Sequence, residues 1–283
     1  MNELAAADAY CRRLAGRHYE NFTVASRLLP AALRLDLARV YAYCRVTDDL
    51  GDESGGAARA RLERWRGEVD DLFGGRAPVH PVLVALRETV DRLGLPSRPF
   101  LDLVAANLQD QEVTAYETWP ELLAYCGLSA APVGRIVLRL LGLRGAAAER
   151  RSDDVCVGLQ LANFAQDVRD DTARGRRYLL GPEVAELGVA GAVRAHCDRA
   201  RRLLASGVEL ERMASGRARL QLSLYRLGGE AIVGAIERAG FETDRARPTV
   251  SAAAKAALVV RAVRGLARGR GGGAGDVESL GAA

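Results

Sequence analysis

This sequence predicts an all-α protein of about ten helices packed as one domain, and three observations carry the prediction. Ala, Leu and Arg dominate the 283 residues, and they suit helices. Apolar residues recur at helical spacing in one segment after another, as in Leu33, Leu37, Val40, Tyr41 and Cys44. Nothing reads as an alternating strand of convincing length, and no unit repeats at a fixed period.

Taken in order, residues 3–14 form a first helical pattern, followed by a polar and aromatic cluster, His18-Tyr-Glu-Asn-Phe22, and an apolar run that stops at Pro30. Residues 32–50 make a long helix with acidic residues at its C-terminal end, weakened after Gly51. A helix over 57–73 is followed by a loop over 74–81, which holds two glycines and two prolines. Helices follow at 82–93, 99–116 and 119–128. Pro132 and Gly134 interrupt a pattern that is otherwise helical from 121 to 141, so a kink is expected there. Residues 142–152 read as a linker and 153–172 as a central helix. Further helices cover 189–213, 218–239 and 250–267. The domain is expected to span 1–268, and the glycine- and alanine-rich 269–283 reads as a disordered tail.

Composition narrows the function. Apolar residues make up 49% of the chain, enough for a sizeable core, and a net charge of +4 is modest. Basic residues are scattered among acidic ones without an interleaved basic and aromatic patch, so nucleic-acid binding is not indicated. Five cysteines without CxxC spacing support neither a disulfide framework nor a zinc site, and read as buried thiols in a reducing cytosol. The N-terminus lacks the layout of a secretory signal, and no window approaches the roughly 18 consecutive apolar residues a membrane span needs. A cytoplasmic protein is expected. Arg264 and Arg268 near the end leave open a peripheral contact with anionic lipid at the inner membrane face.

Two acidic stretches carry the chemistry. In 159–180, LQLANFAQDVRDDTARGRRYLL, Asp167 and Asp171 are four residues apart, offset by only about 40° around a helix axis. Asn163 lies one turn back on the same line. Leu159, Leu161, Ala162, Phe164 and Val168 flank this row, which sets carboxylates beside a face that should be buried. Like charges so placed repel, and buried carboxylates are costly unless a cation compensates them. Oxygen-only ligands with one side amide suit a hard divalent ion, magnesium where phosphates are present. In 41–53, YAYCRVTDDLGDE, Asp48 and Asp52 repeat the spacing, Asp49 and Glu53 do so one position on, and Arg45 sits one turn before Asp49. Two such helices facing each other across a cavity could hold magnesium ions against a diphosphate leaving group.

With both stretches in view, the chain resembles the squalene and phytoene synthase family over residues 8 to 268. HYENFTVASRLLP at 18–30, NFAQDVRDD at 163–171 and YCGLSAAPVG at 125–134 look most like its hydroxysqualene synthase branch. The resemblance implies the isoprenoid synthase fold, Mg2+ as cofactor, and conversion of presqualene diphosphate and water to hydroxysqualene and diphosphate. It implies metal ligation by Asp48, Asp49, Asp52, Asp167 and Asp171, with Asn163 at the metal or diphosphate. Arg45 and Arg176 would contact diphosphate oxygens, for which a guanidinium fork is suited. His18 and Tyr41 fall near the diphosphate, and Tyr178 is placed to close the site. The expected partners are a prenyl diphosphate substrate, a presqualene diphosphate synthase and a hydroxysqualene oxidoreductase.

Departures from the family pattern are also visible. Gln166 stands where many relatives carry an arginine, and Glu20 and Asn21 stand where condensing relatives have a basic residue and a serine. Those two side chains are expected to position the water that captures the carbocation. Phe22, Val133, Leu138, Leu161 and Phe164 are candidates for the apolar wall. Tyr116 carries little weight, because Ala115 precedes it in place of a basic residue. The alternatives are head-to-head condensation to presqualene diphosphate or phytoene, and a family member that has lost catalysis and binds lipid.

Overall fold

The computed structural model describes residues 3–18, 29–52 and 55–270. Glu20, Asn21, Phe22, Glu53 and the tail over 271–283 lie outside the described residues, as does the side chain of His18.

Among the described residues there are thirteen α-helices and no strand, with one isolated parallel bridge between Ala115 and Arg177. In chain order they are α1 (Glu3–His18), α2 (Ala31–Asp52), α3 (Ala58–Phe73), α4 (Pro81–Leu93), α5 (Arg98–Gln109), α6 (Trp119–Ser129) and α7 (Ala131–Leu140). Then come α8 (Ala146–Gln166), α9 (Val168–Ala173), α10 (Gly181–Ala205), α11 (Gly207–Arg212), α12 (Gly216–Arg238) and α13 (Ala252–Arg270).

Several boundaries differ from the sequence expectation for identifiable reasons. The helix expected to reach residue 116 ends at Gln109, because 114–116 instead pair with the segment after α9. The expected linker over 142–152 is mostly the start of α8, and Gly142 and Gly145 with positive φ confine the turn to a few residues. The helix expected from 189 begins at Gly181, bends at Gly188 (φ 69°) and yields to α11 at Ser206. α13 continues to Arg270, two residues past the expected domain end.

The break between α6 and α7 falls at Ala130, and Pro132 sits in the first turn of α7, where a missing N–H costs nothing. Gly134 is there for proximity. A Cβ on it would lie 2.5 Å from both Cys156 Sγ and Ser152 Oγ, so only glycine lets α7 approach α8 this closely. The stretch Trp119–Leu140 has the length and mean hydropathy (1.3) of a bilayer-crossing helix, contrary to the sequence expectation of none. More than half of it is buried within the fold, and it is broken at Ala130.

Two main cores form. Tyr43, Trp65, Val82, Leu86, Phe100 and Ile136 belong to one, built largely from α1–α5, and Leu161, Phe164, Tyr178, Cys197, Val233 and Ile236 to the other. In the first, buried Arg39 donates to both Asp8 oxygens (2.8 and 3.0 Å) and to Thr89 (3.1 Å), and Thr89 donates to Asp36 (2.8 Å). Each buried charge is thus paired, which a buried guanidinium requires, and α1, α2 and α4 are pinned together.

Candidate active site

The acidic end of α2 is positioned from its opposite face. Val40, Tyr43, Thr47 and Gly51 are buried at helical spacing. The Tyr43 hydroxyl donates to Phe100 O (2.8 Å), and Trp65 Nε1 donates to Thr47 Oγ1 (2.9 Å). With that face fixed, Arg45, Asp48, Asp49 and Asp52 are left on accessible or half-buried positions. The end of α5 completes the support: Asn107 Nδ2 donates to Asp48 (3.2 Å) and Gln111 Nε2 to Gly51 O (3.3 Å).

The second motif is anchored by Leu161, Ala162, Phe164 and Ala165, all buried in α8. The expected single helix breaks at Asp167 (φ −102°, ψ 15°), yet four-residue hydrogen bonding persists, from Asp167 N to Asn163 O (2.9 Å) and from Asp171 N to Asp167 O (2.8 Å). Asn163, Asp167 and Asp171 therefore remain in sequence-predicted register. Gly175, at φ 75°, reverses the chain, and Arg177 N then bonds to Thr114 O (2.7 Å). That turn directs Arg176 back across the site, where it donates to Asp52 at 2.8 Å.

An apolar cavity of about 420 Å³ lies between α2, α7, α8, α11 and α12. Tyr41, Cys44, Val133, Leu159, Leu222 and Ile232 are among its walls, and Gln160 and Asn163 add two side amides. Asp48 is one turn beyond Cys44 and Asp167 one turn beyond Asn163, so both acidic motifs emerge at the same end of the cavity. Of the expected wall residues, Val133 lines this space, while Leu138, Leu161 and Phe164 pack in the cores.

The charges are unevenly compensated. Arg45 pairs with Asp49 (2.5 Å), Arg176 and Arg174 with Asp52 (2.8 and 3.7 Å), and Arg247 with Asp167. Asp48 accepts from the Asn107 side amide. Its side chain reaches solvent, but the crowded mouth of the cavity and then Asp52 push its carboxyl up to about 6. Burial, followed by the charge of Asp167, pushes Asp171 up to about 7. Carboxylates are the hard oxygen donors a divalent ion such as magnesium takes, but among the described residues no three acidic, histidine or cysteine side chains stand close enough together to hold a metal ion.

Other expected site residues are placed differently. Gln166 is buried away from the cavity, with Nε2 donating to Pro248 O (2.6 Å) and Oε1 accepting from Arg247 (3.2 Å). Through that contact a distant arginine supplies a cation beside Asp167. Tyr178 is 8% exposed, its ring stacked on Phe164 (4.0 Å between centroids, 8° between planes), so it supports the site from below. Its hydroxyl donates to Asp110 (3.2 Å), as does that of Tyr125 (2.7 Å), and burial pushes Asp110 up to about 6. His196 is fully buried, with Nε2 3.2 Å from Tyr178 O. His80 caps α4.

Asn107, Asp110, Gln160, Arg174 and Arg247 escape sequence reasoning. Gln109-Asp-Gln111 at the end of an apolar helix is a usable signal for Asp110; nothing local marks Arg247.

The chain thus joins two acidic motifs, with Arg45 and Arg176 among them, to an apolar cavity in an all-α fold. Residues 15–254 match the model of the squalene/phytoene synthase family, and the chain belongs to that family. The chain is 34% identical over 179 residues to the hydroxysqualene synthase of Sinorhizobium fredii, covering 60% of this chain and 61% of that one. It is 30% identical over 190 residues to the phytoene synthase of Arthrospira platensis, covering 61% of each. The matches thus span less than two thirds of these relatives' length. In structure it is similar to squalene synthase HpnC from Alicyclobacillus acidocaldarius, with TM-score 0.78, 40% identity, and coverage of 84% of this chain and 96% of that one.

Proposed function

We propose that this chain is a hydroxysqualene synthase, converting presqualene diphosphate and water to hydroxysqualene and diphosphate. The observation that carries the reading is the convergence of both acidic motifs, joined by Arg176 and Asp52, at one end of an apolar cavity. The similarity to a hydroxysqualene synthase and to squalene synthase HpnC supports this branch.

Arg45 and Arg176 bind diphosphate oxygens, exchanging their carboxylate partners for the substrate's anionic head. A divalent ion, which Asp48, Asp52, Asp167 and Asp171 would hold once drawn together around the diphosphate, would supply Lewis-acid neutralisation of the departing group. The aliphatic walls hold the hydrocarbon chains and keep bulk water from the cation while it rearranges. Gln160 and Asn163, side amides on that wall, orient the water whose oxygen bonds to carbon as its proton passes to the released diphosphate. Glu20 and Asn21, proposed for the same task, lie outside the described residues.

Condensation of two prenyl diphosphates is the second reading, favoured by the similarity to phytoene synthases. Incubation of the purified protein with magnesium and either presqualene diphosphate or farnesyl diphosphate, without NADPH, separates the two. The proposal expects a C30 alcohol from the first and no turnover of the second. Presqualene diphosphate formed from farnesyl diphosphate would replace it with condensation.

A further inference from the structure

Outside this site, the structure contains a second cleft of about 620 Å³ between α11, α12 and α13. Its wall carries four arginines, Arg219, Arg226, Arg261 and Arg264, with Glu211 and Ser223. Arg226 is held between Glu211 (2.5 Å) and Glu230 (2.6 Å), and Glu230 also lies 3.9 Å from Arg261. Two carboxylates thus face four guanidiniums. Arg219 and Arg264 have no ion pair among the described residues.

The surroundings of the cleft are also unusual. α13 packs mainly on α12 through a small separate core, Leu220, Leu224, Leu227 and Ala262 with Leu258, Val259 and Leu266. Its outer surface shows Val260 and Val263, 48% and 45% exposed. Arg264 lies one turn from Val260, so an exposed apolar strip runs beside the guanidinium-lined cleft. Arginine forks suit phosphate oxygens, and exposed aliphatic side chains next to them suit the hydrocarbon part of the same molecule.

We infer that this cleft binds the phosphate group of an anionic amphiphile, with Arg219 and Arg264 as the available donors and Val260 and Val263 against its apolar portion. This site is independent of the carboxylate centre and of the reaction assigned to it.

The test uses the full chain and two probes: vesicles of phosphatidylglycerol or phosphatidylcholine, read by cosedimentation, and inorganic phosphate or diphosphate without metal, read by thermal shift. The double variant Arg219→Gln/Arg264→Gln is compared with a charge-matched control at exposed positions elsewhere, Arg64→Gln/Arg144→Gln. Binding to phosphatidylglycerol vesicles that falls roughly 30-fold in the cleft variant and stays near wild type in the control identifies a lipid headgroup. A phosphate-induced shift abolished only in the cleft variant, without vesicle binding, overturns the amphiphile and leaves a phosphate site. Equal loss in both variants reduces the effect to overall charge and overturns the site. So does the absence of any vesicle binding or phosphate response in the wild type.

Discussion

Arg176 donates to Asp52 at 2.8 Å across 124 residues of sequence. The contact ties the first acidic motif to the turn that follows the second, and it sets a guanidinium at the centre of the carboxylate cluster. Replacing Arg176 by Ala is predicted to lower kcat/KM by about 10²-fold, the typical cost of losing one charge-stabilising donor. Arg176→Lys should recover only part of the loss, because an ammonium cannot reproduce the fork. Steady-state kinetics with presqualene diphosphate checks both.

The raised carboxyls make stability fall with pH in the metal-free protein. Asp48 and Asp171 keep their protons to about pH 6 and 7 when folded, whereas an unfolded carboxyl loses its proton near 4. As pH rises from about 4 the unfolded chain releases protons first, so stability declines until the folded groups ionise and the loss is complete. Melting temperatures without metal should be lower at pH 8 than at pH 5, and Asp171→Asn should narrow the gap. A gap unchanged by that substitution contradicts burial as its cause.

Gly134→Ala is expected to destabilise the fold by about 1–3 kcal/mol, the usual cost of forcing an extra methyl into a packed contact. The methyl would meet Cys156 Sγ and Ser152 Oγ at 2.5 Å, on the wall of the cavity. Chemical denaturation measures the loss.

Asp110→Ala should cost about 2 kcal/mol or more, since it strips the acceptor from two largely buried tyrosine hydroxyls, those of Tyr125 and Tyr178. Asp110→Asn keeps one acceptor oxygen and should recover much of the stability. Denaturation of the two variants compares them directly.

The sequence made the helices and both acidic motifs legible because helical periodicity and four-residue carboxylate spacing are local properties. Asn163, Asp167 and Asp171 kept their register even though the helix breaks at Asp167. What stayed hidden depends on distant chain segments meeting. Gln166 looked like a pocket residue by its place in the motif, but its partners are Pro248 and Arg247, some 80 residues on. Tyr178 looked like a closing residue, but the Phe164 ring and Asp110 hold it inside.

Turnover of presqualene diphosphate in water enriched in oxygen-18, with the alcohol product read by mass spectrometry, tests the central claim most directly. Water capture by a carbocation predicts one oxygen-18 in a C30 alcohol with the rearranged skeleton. An unlabelled alcohol retaining the cyclopropane would mean cleavage between phosphorus and oxygen, and would contradict it.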